Sequence, residues 1–146
     1  LTKEDCQQII DILPEYFKSS NMLERESAVI ISCGIENEYV KPFIPLWEEM
    51  LNDESLNVKA NASSALIGNN KSNNKFIPIC SDLLKSSDIE HKRMGLAIIK
   101  AIGRKAEPLI PLLIKTGIEL DGHSSFAVYN AFHSIGLCSI PYLTKE

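Results

Sequence analysis

The sequence predicts an all-α protein, a solenoid of about four helix pairs with a partial fifth, and three observations support this. Ile44-Pro45, Ile77-Pro78 and Ile110-Pro111 recur at a constant spacing of 33 residues, and Ile140-Pro141 follows near the end. Each of the three opens a similar apolar run: PFIPLWEEML, KFIPICSDLL and PLIPLLIKTG. Sustained alternation of apolar and polar residues between tight turns, the mark of strands, is essentially absent. A fixed period of this size belongs to stacked copies of one small unit, none of which can bury its apolar face alone.

Each copy reads as two helices. Carried backwards, the period puts Asp11 at the proline position of a first pair. Ile9, Ile10, Ile12, Leu13, Tyr16 and Phe17 then fill its core stripe, and a second helix over about 24–36 holds Ala28, Val29 and Ile31. The second pair places Phe43, Ile44, Leu46, Trp47, Met50 and Leu51 on the stripe, followed by a helix over 58–68. Phe76, Ile77, Ile79, Cys80, Leu83 and Leu84 do the same in the third pair, ahead of a helix over 91–103. The fourth has Leu109, Ile110, Leu112 and Leu113; Thr116 and Gly117 then predict an early end before a last helix over 124–136. All these stripes follow helical spacing.

Proline suits the start of the first helix, where the N–H has no intrahelical partner, and Pro42 and Pro108 mark that start again. Small residues (Ala28, Ala62, Gly95; Ala65, Ala131) recur on the buried face of the second helices, as close helix approach requires. A basic residue recurs near their start as Arg25, Lys59 and Lys92, and gives way to Ser125. Polar joints lie at 18–21, 52–57, 85–90 and 121–124 within pairs, and at 36–39, 69–75 and 103–107 between them. The tract GNNKSNNK reads as a loop, because the period runs through it unbroken. The units span about 6–37, 41–71, 75–104 and 108–137; residues 138–146 form a cap or the start of a truncated fifth unit.

These residues resemble HEAT-like repeats, in the short form common in bacterial proteins and similar to the phycobilisome-lyase type. The matching elements are the Ile-Pro first helix and a V-[RK]-x-x-A-x-x-A-L second helix, met best by Val58, Lys59, Ala62, Ala65 and Leu66. Glu24, His91 and Ser124 depart from the valine of that pattern. The resemblance covers about residues 6–137 and implies a right-handed α–α superhelix whose concave face, lined by the second helices, binds a partner. It implies little about activity. The Trp, Leu-Gly and Tyr pattern of tetratricopeptide repeats and the T-P-L-H of ankyrin repeats are both missing.

Composition is that of a globular domain: 146 residues, 45% hydrophobic and 23% charged. The net charge of −4 hides an asymmetry. Residues 1–56 hold 12 acids and 4 bases, giving −8, whereas 57–146 hold 7 acids and 11 bases, giving +4. No apolar stretch has the length to span a bilayer. LTKEDCQQII lacks the features of a signal peptide, and Leu1 in place of methionine suggests a trimmed chain. Cys6, Cys33, Cys80 and Cys138 lie far apart with no metal-ligand spacing, which reads as reduced thiols in a cytoplasmic protein.

Phosphate loops, HExxH and EF-hand spacings do not occur. His91, His123 and His133 read as surface or helix-end residues, and Glu48-Glu49 and Asp53-Glu54 as solvated acids. No catalysis, cofactor or metal is expected. The stripe left over on the second helices gives four rows: Glu26, Ile30, Cys33, Asn37; Ala60, Ser64, Ile67, Lys71; Arg93, Ala97, Lys100, Arg104; and Phe126, Asn130, His133, Leu137. The basic cluster Lys71, Arg93, Lys100 and Arg104, with Lys105 nearby, reads either as an ordinary solvated face or as an anion-facing patch for an acidic partner segment. Phe126, Asn130 and His133 flank it, although core packing suits Phe126 and Leu137 better than exposure.

The expected function is a non-catalytic protein-binding adaptor or scaffold whose partner is another protein. A bacterial immunity or antitoxin-type protein neutralising a toxin is an alternative that suits the acidic first half. A nucleic-acid-binding protein of the HEAT-like alkylpurine glycosylase type is another, favoured by the basic row and opposed by the acidic total charge. A pigment-lyase chaperone rests on the repeat similarity alone.

Overall fold

The computed structural model describes residues 3–35, 39–120 and 125–136. Among the described residues all regular structure is helical, and no helix is long and apolar enough to cross a membrane. The chain divides into two compact halves, Leu1–Ser72 and Asn73–Glu146, each containing two helix pairs. Asn37, His123, Leu137 and the fourth Ile-Pro (Ile140-Pro141) lie outside the described residues.

In the N-terminal half α1 (Lys3–Tyr16) packs on α2 (Met22–Cys33), α2 on α4 (Leu56–Gly68), and α3 (Ile44–Met50) on α4. Capping residues set where the second helices begin. Asn21 Oδ1 accepts from the Leu23 N–H at 3.0 Å, and Ser55 Oγ from the Val58 N–H at 3.5 Å, each satisfying a donor the helix cannot. Asn21, Ser55 and Asp88 stand 34 and 33 residues apart, so the caps keep the same period as the prolines. Pro42 sits in a 3₁₀ turn (Lys41–Phe43) and Pro45 in the first turn of α3, where neither removes a needed bond. Asp11 imposes no such start, and α1 begins well before it. Helix α2 stops at Cys33, short of the expected 36, with the Gly34 N–H bonded to Ile31 O at 3.0 Å.

Phe17, Phe43 and Trp47 stack in series with centroids 6.2 and 6.5 Å apart, and all three are buried. The Trp47 indole donates to Ser32 Oγ at 2.8 Å, and that hydroxyl donates to Val29 O at 2.8 Å. A buried polar atom is costly without a partner, so this relay both satisfies the indole and fixes α3 against α2. Leu13 joins this core, but Ile12 (54% exposed), Tyr16 (44%) and Ile31 (48%), also expected inside, face solvent.

The C-terminal half contains α5 (Phe76–Lys85), α6 (Ile89–Ile102), α7 (Ile110–Glu119) and α8 (Ser125–Ile135). Asp88 caps α6 through the Glu90 N–H at 2.9 Å. The expected polar joint at 103–107 is instead a 3₁₀ segment (Gly103–Leu109) that buries Ala106 and Leu109 among the helices. Gly103 ends α6 with φ +60°, a conformation in which a side chain would be strained. Cys80 of α5 is fully buried, and burial pushes its thiol up to about 12.

One contact explains both the close pairing and a misread break. A Cβ on Gly95 would lie 3.1 Å from Leu83 Cβ and 3.4 Å from a Leu84 methyl, so α5 and α6 meet where α6 has no side chain. One period later the sizes reverse. Gly117 replaces Leu84 and Val128 replaces Gly95, with Val128 Cγ1 3.2 Å from the point where a Gly117 Cβ would stand. Thr116 is buried and α7 continues through both residues to Glu119, rather than ending early. Gly117 receives Val128 and does not break the helix.

Candidate interaction surface

At two of its three positions, Arg25 and Lys92, the recurring basic residue of the second helices makes a clasp. Arg25 lies near the start of α2 with its side chain 9% exposed. Its Nε and one terminal nitrogen grip the Asp53 carboxylate at 2.6 and 3.0 Å, and that nitrogen also reaches Glu54 at 3.2 Å. The other terminal nitrogen donates to the carbonyls of Ser19 and Ser20 at 3.0 and 3.2 Å. One guanidinium thus ties the α1–α2 joint to the α3–α4 joint, using the planar fork that suits a carboxylate. Asp53 also accepts from the Ser55 N–H at 2.8 Å.

Burial alone would raise the Asp53 carboxyl. The Arg25 hydrogen bonds, the Ser55 N–H and the charges of Arg25 and Lys59 outweigh it and hold the group below the usual carboxylate range. The same bonds raise the Arg25 guanidinium against its own desolvation. Asp53 is therefore a buried ion-pair partner, not the solvated acid expected from its neighbour Glu54.

Lys92 repeats the device in the C-terminal half. Its Nζ donates to Glu119 at 2.7 Å, with Lys115 at 3.8 Å from the other oxygen, and together they hold that carboxyl below its ordinary value. Asp53 and Glu119 are two periods apart in register. Between them in register stands Ser86, uncharged, whose hydroxyl pairs with His91 Nδ1 at 2.8 Å. The repeat spacing of acids at 53 and 119 is the signal that could have revealed these partners.

The solvent-facing rows emerge in part. On α6 Arg93, Ala97 and Lys100 are exposed at helical spacing, and on α8 Phe126 is 72% exposed, His133 exposed and Asn130 half-buried. Helices α6 and α8 pack directly, and Arg93, Ala97 and Lys100 are one period from Phe126, Asn130 and His133. They form two adjacent rows, one cationic and one aromatic–polar. Phe126 is thus on the surface, as a flanking contact requires, although core packing is the favoured expectation for it alone. Arg93 is paired with Glu90 at 2.6 Å, and His133 lies against the Tyr129 ring with centroids 6.1 Å apart.

Arg104 is exposed but leaves the α6 row, because Gly103 turns the chain into the 3₁₀ segment. Lys71 is exposed in the N-terminal half, so the structure groups only Arg93, Lys100 and Arg104 in one compact body. In that half Ile30, Cys33 and Ser64 are exposed and Glu26 accepts from Asn61 at 3.3 Å, while Ala60, expected in the row, is fully buried. Burial pushes the Cys33 thiol up despite its exposed edge. Among the described residues no group of three His, Cys, Asp or Glu converges as a metal ion requires.

These features define an all-helical protein of repeated helix pairs held by recurrent caps and ion-pair clasps. Comparison with protein-family models, with curated proteins and with solved structures finds no match.

Proposed function

We propose that this chain is a HEAT-like, non-catalytic protein-interaction module that holds an acidic segment of a partner protein against the α6 and α8 rows. The observation that carries this reading is that Arg93 and Lys100 stand exposed on α6, one repeat period before Phe126 and His133 on the α8 helix packed against it, with Phe126 72% exposed. Cations steer and orient an acidic segment, while an aromatic anchor that loses its water supplies much of the binding energy. Ala97, small and exposed between the two cations, leaves room for a backbone to approach. The titratable groups nearest to a catalytic appearance serve the structure instead. Asp53 is bound by Arg25, His91 by Ser86, and His133 rests on Tyr129.

Selection from a random displayed peptide library tests the reading. Enriched peptides should carry Asp or Glu around an aromatic or aliphatic anchor. They should lose at least about tenfold in affinity for Arg93→Glu/Lys100→Glu, or for Phe126→Ser, and weaken with salt. Ligands indifferent to all three residues would sink it. Tight, steeply salt-dependent binding of oligonucleotides with no peptide enrichment would replace it with the nucleic-acid alternative.

A further inference from the structure

The first helix pair carries a second surface of opposite character. Two adjoining hollows of about 490 and 370 Å³ open between α1 and α2, with Leu13 and Ile31 in the wall of both. Ile12, Tyr16, Leu23 and Ile31 supply the apolar lining, and each is at least 44% exposed. Single exposed apolar residues are ordinary, but four grouped around one groove are not. Carboxylates stand at its edges: Asp5 beside the smaller hollow, Glu24 beside the larger, and Glu15 with Glu24 beside a third at Tyr16.

The repeat register says what shape of occupant this groove suits. Ile9, Tyr16 and Ile31 correspond to Phe43, Met50 and Ala65 in the second pair, and to Leu109, Thr116 and Ala131 in the fourth. All six of those residues are buried. In the second pair the covering comes from the first: helix α2 packs on α4, and Phe17, the residue after α1, stacks on Phe43. The same face on α1 and α2 is built to receive a helix.

We propose that this groove docks an amphipathic helix of a partner protein, with leucine-like residues on one side and Lys or Arg at its borders. The helical form follows from the register, and the basic flank from the rim acids and the −8 charge of residues 1–56. This proposal shares the protein-interaction reading above but concerns a different surface and a partner segment of opposite charge, so either can fail alone.

The probe is a labelled Leu/Lys amphipathic peptide of about 16 residues, titrated against the full chain by fluorescence anisotropy. A Leu/Glu peptide of the same pattern and a scrambled Leu/Lys peptide serve as controls. Saturable binding at least about tenfold tighter than the scrambled control is expected, and at least about tenfold tighter than the Leu/Glu control on the Arg93→Glu/Lys100→Glu chain, where the other surface no longer takes acidic peptides. It should fall at least tenfold with Leu23→Ser/Ile31→Ser, and Glu15→Lys/Glu24→Lys should shift preference toward the Leu/Glu peptide. Arg93→Glu/Lys100→Glu should leave it unchanged. Equal binding of the scrambled peptide, or binding unaffected by the Leu23 and Ile31 changes, overturns the proposal. So does a concentration-dependent dimer in sedimentation that Leu23→Ser/Ile31→Ser abolishes, which would assign the groove to a second copy of this chain.

Discussion

The two halves of this chain use one repeat plan with different chemistry. In the N-terminal half the clasp is a bidentate arginine whose partner carboxylate is almost sealed from water, next to an aromatic core tied by an indole hydrogen bond. In the C-terminal half the same register position holds a lysine on a carboxylate 42% exposed, and the core is mainly aliphatic with a glycine at each helix-pair contact. Equivalent position does not mean equivalent energy. A charge pair sealed from water leaves an expensive orphan if one partner is lost, whereas one that solvent reaches is replaced by water.

The largest expected effect breaks the first clasp. Arg25→Ala leaves Asp53 with the Ser55 N–H as its remaining hydrogen-bond donor and only the charge of Lys59 nearby, and should cost about 2–3 kcal/mol in denaturant unfolding of the full chain. Replacing both partners by apolar residues, Arg25→Met with Asp53→Leu, should recover much of that loss; a double variant as unstable as the sum of the singles would contradict a buried pair. Gly95→Leu comes next, forcing atoms into Leu83 and Leu84 at a cost of about 1–3 kcal/mol. Gly117→Leu should be similarly harmful alone and be rescued by Val128→Gly, which restores the large-on-small arrangement of α5 and α6. If the second change does not rescue the first, the size reversal is not a matched contact.

A pH series sharpens the comparison further. The folded Asp53 carboxyl is held below its unfolded value, so its contribution is complete above about pH 4 and disappears as pH falls through the folded value. Asp53→Asn should therefore flatten the acid limb of the stability curve and change little at low pH. The smallest effect belongs to Lys92→Ala, a modest drop in unfolding midpoint that disappears in about 1 M salt. A salt-resistant loss would mean that the two clasps are alike after all.

Much of this was legible in the sequence because the Ile-Pro period is a backbone signal. Proline marks helix starts wherever the chain folds locally, and the core residues Trp47, Leu83 and Leu113 follow from stripe spacing. What was not legible depends on neighbours. Tyr16 and Ile31 occupy core positions of the repeat, yet they are exposed because no helix of the described chain covers that side. Gly117 looks like a breaker until Val128 is seen opposite it, and Asp53 looks solvated until Arg25 arrives from 28 residues away. The candidate row suffered from a single bond rotation. Gly103 takes φ +60°, and Arg104 no longer continues the helix that carries Arg93 and Lys100.

Cys80 offers a way to time the C-terminal half from inside. A thiol with no exposed surface and an ionisation pushed up to about 12 has almost no reactive thiolate near neutral pH. With Cys6, Cys33 and Cys138 replaced by serine, an alkylating reagent can reach it only when α5 comes away from its neighbours. The labelling rate then becomes a stopwatch for that opening event. Its response to each groove or clasp substitution would reveal whether one half senses what happens in the other.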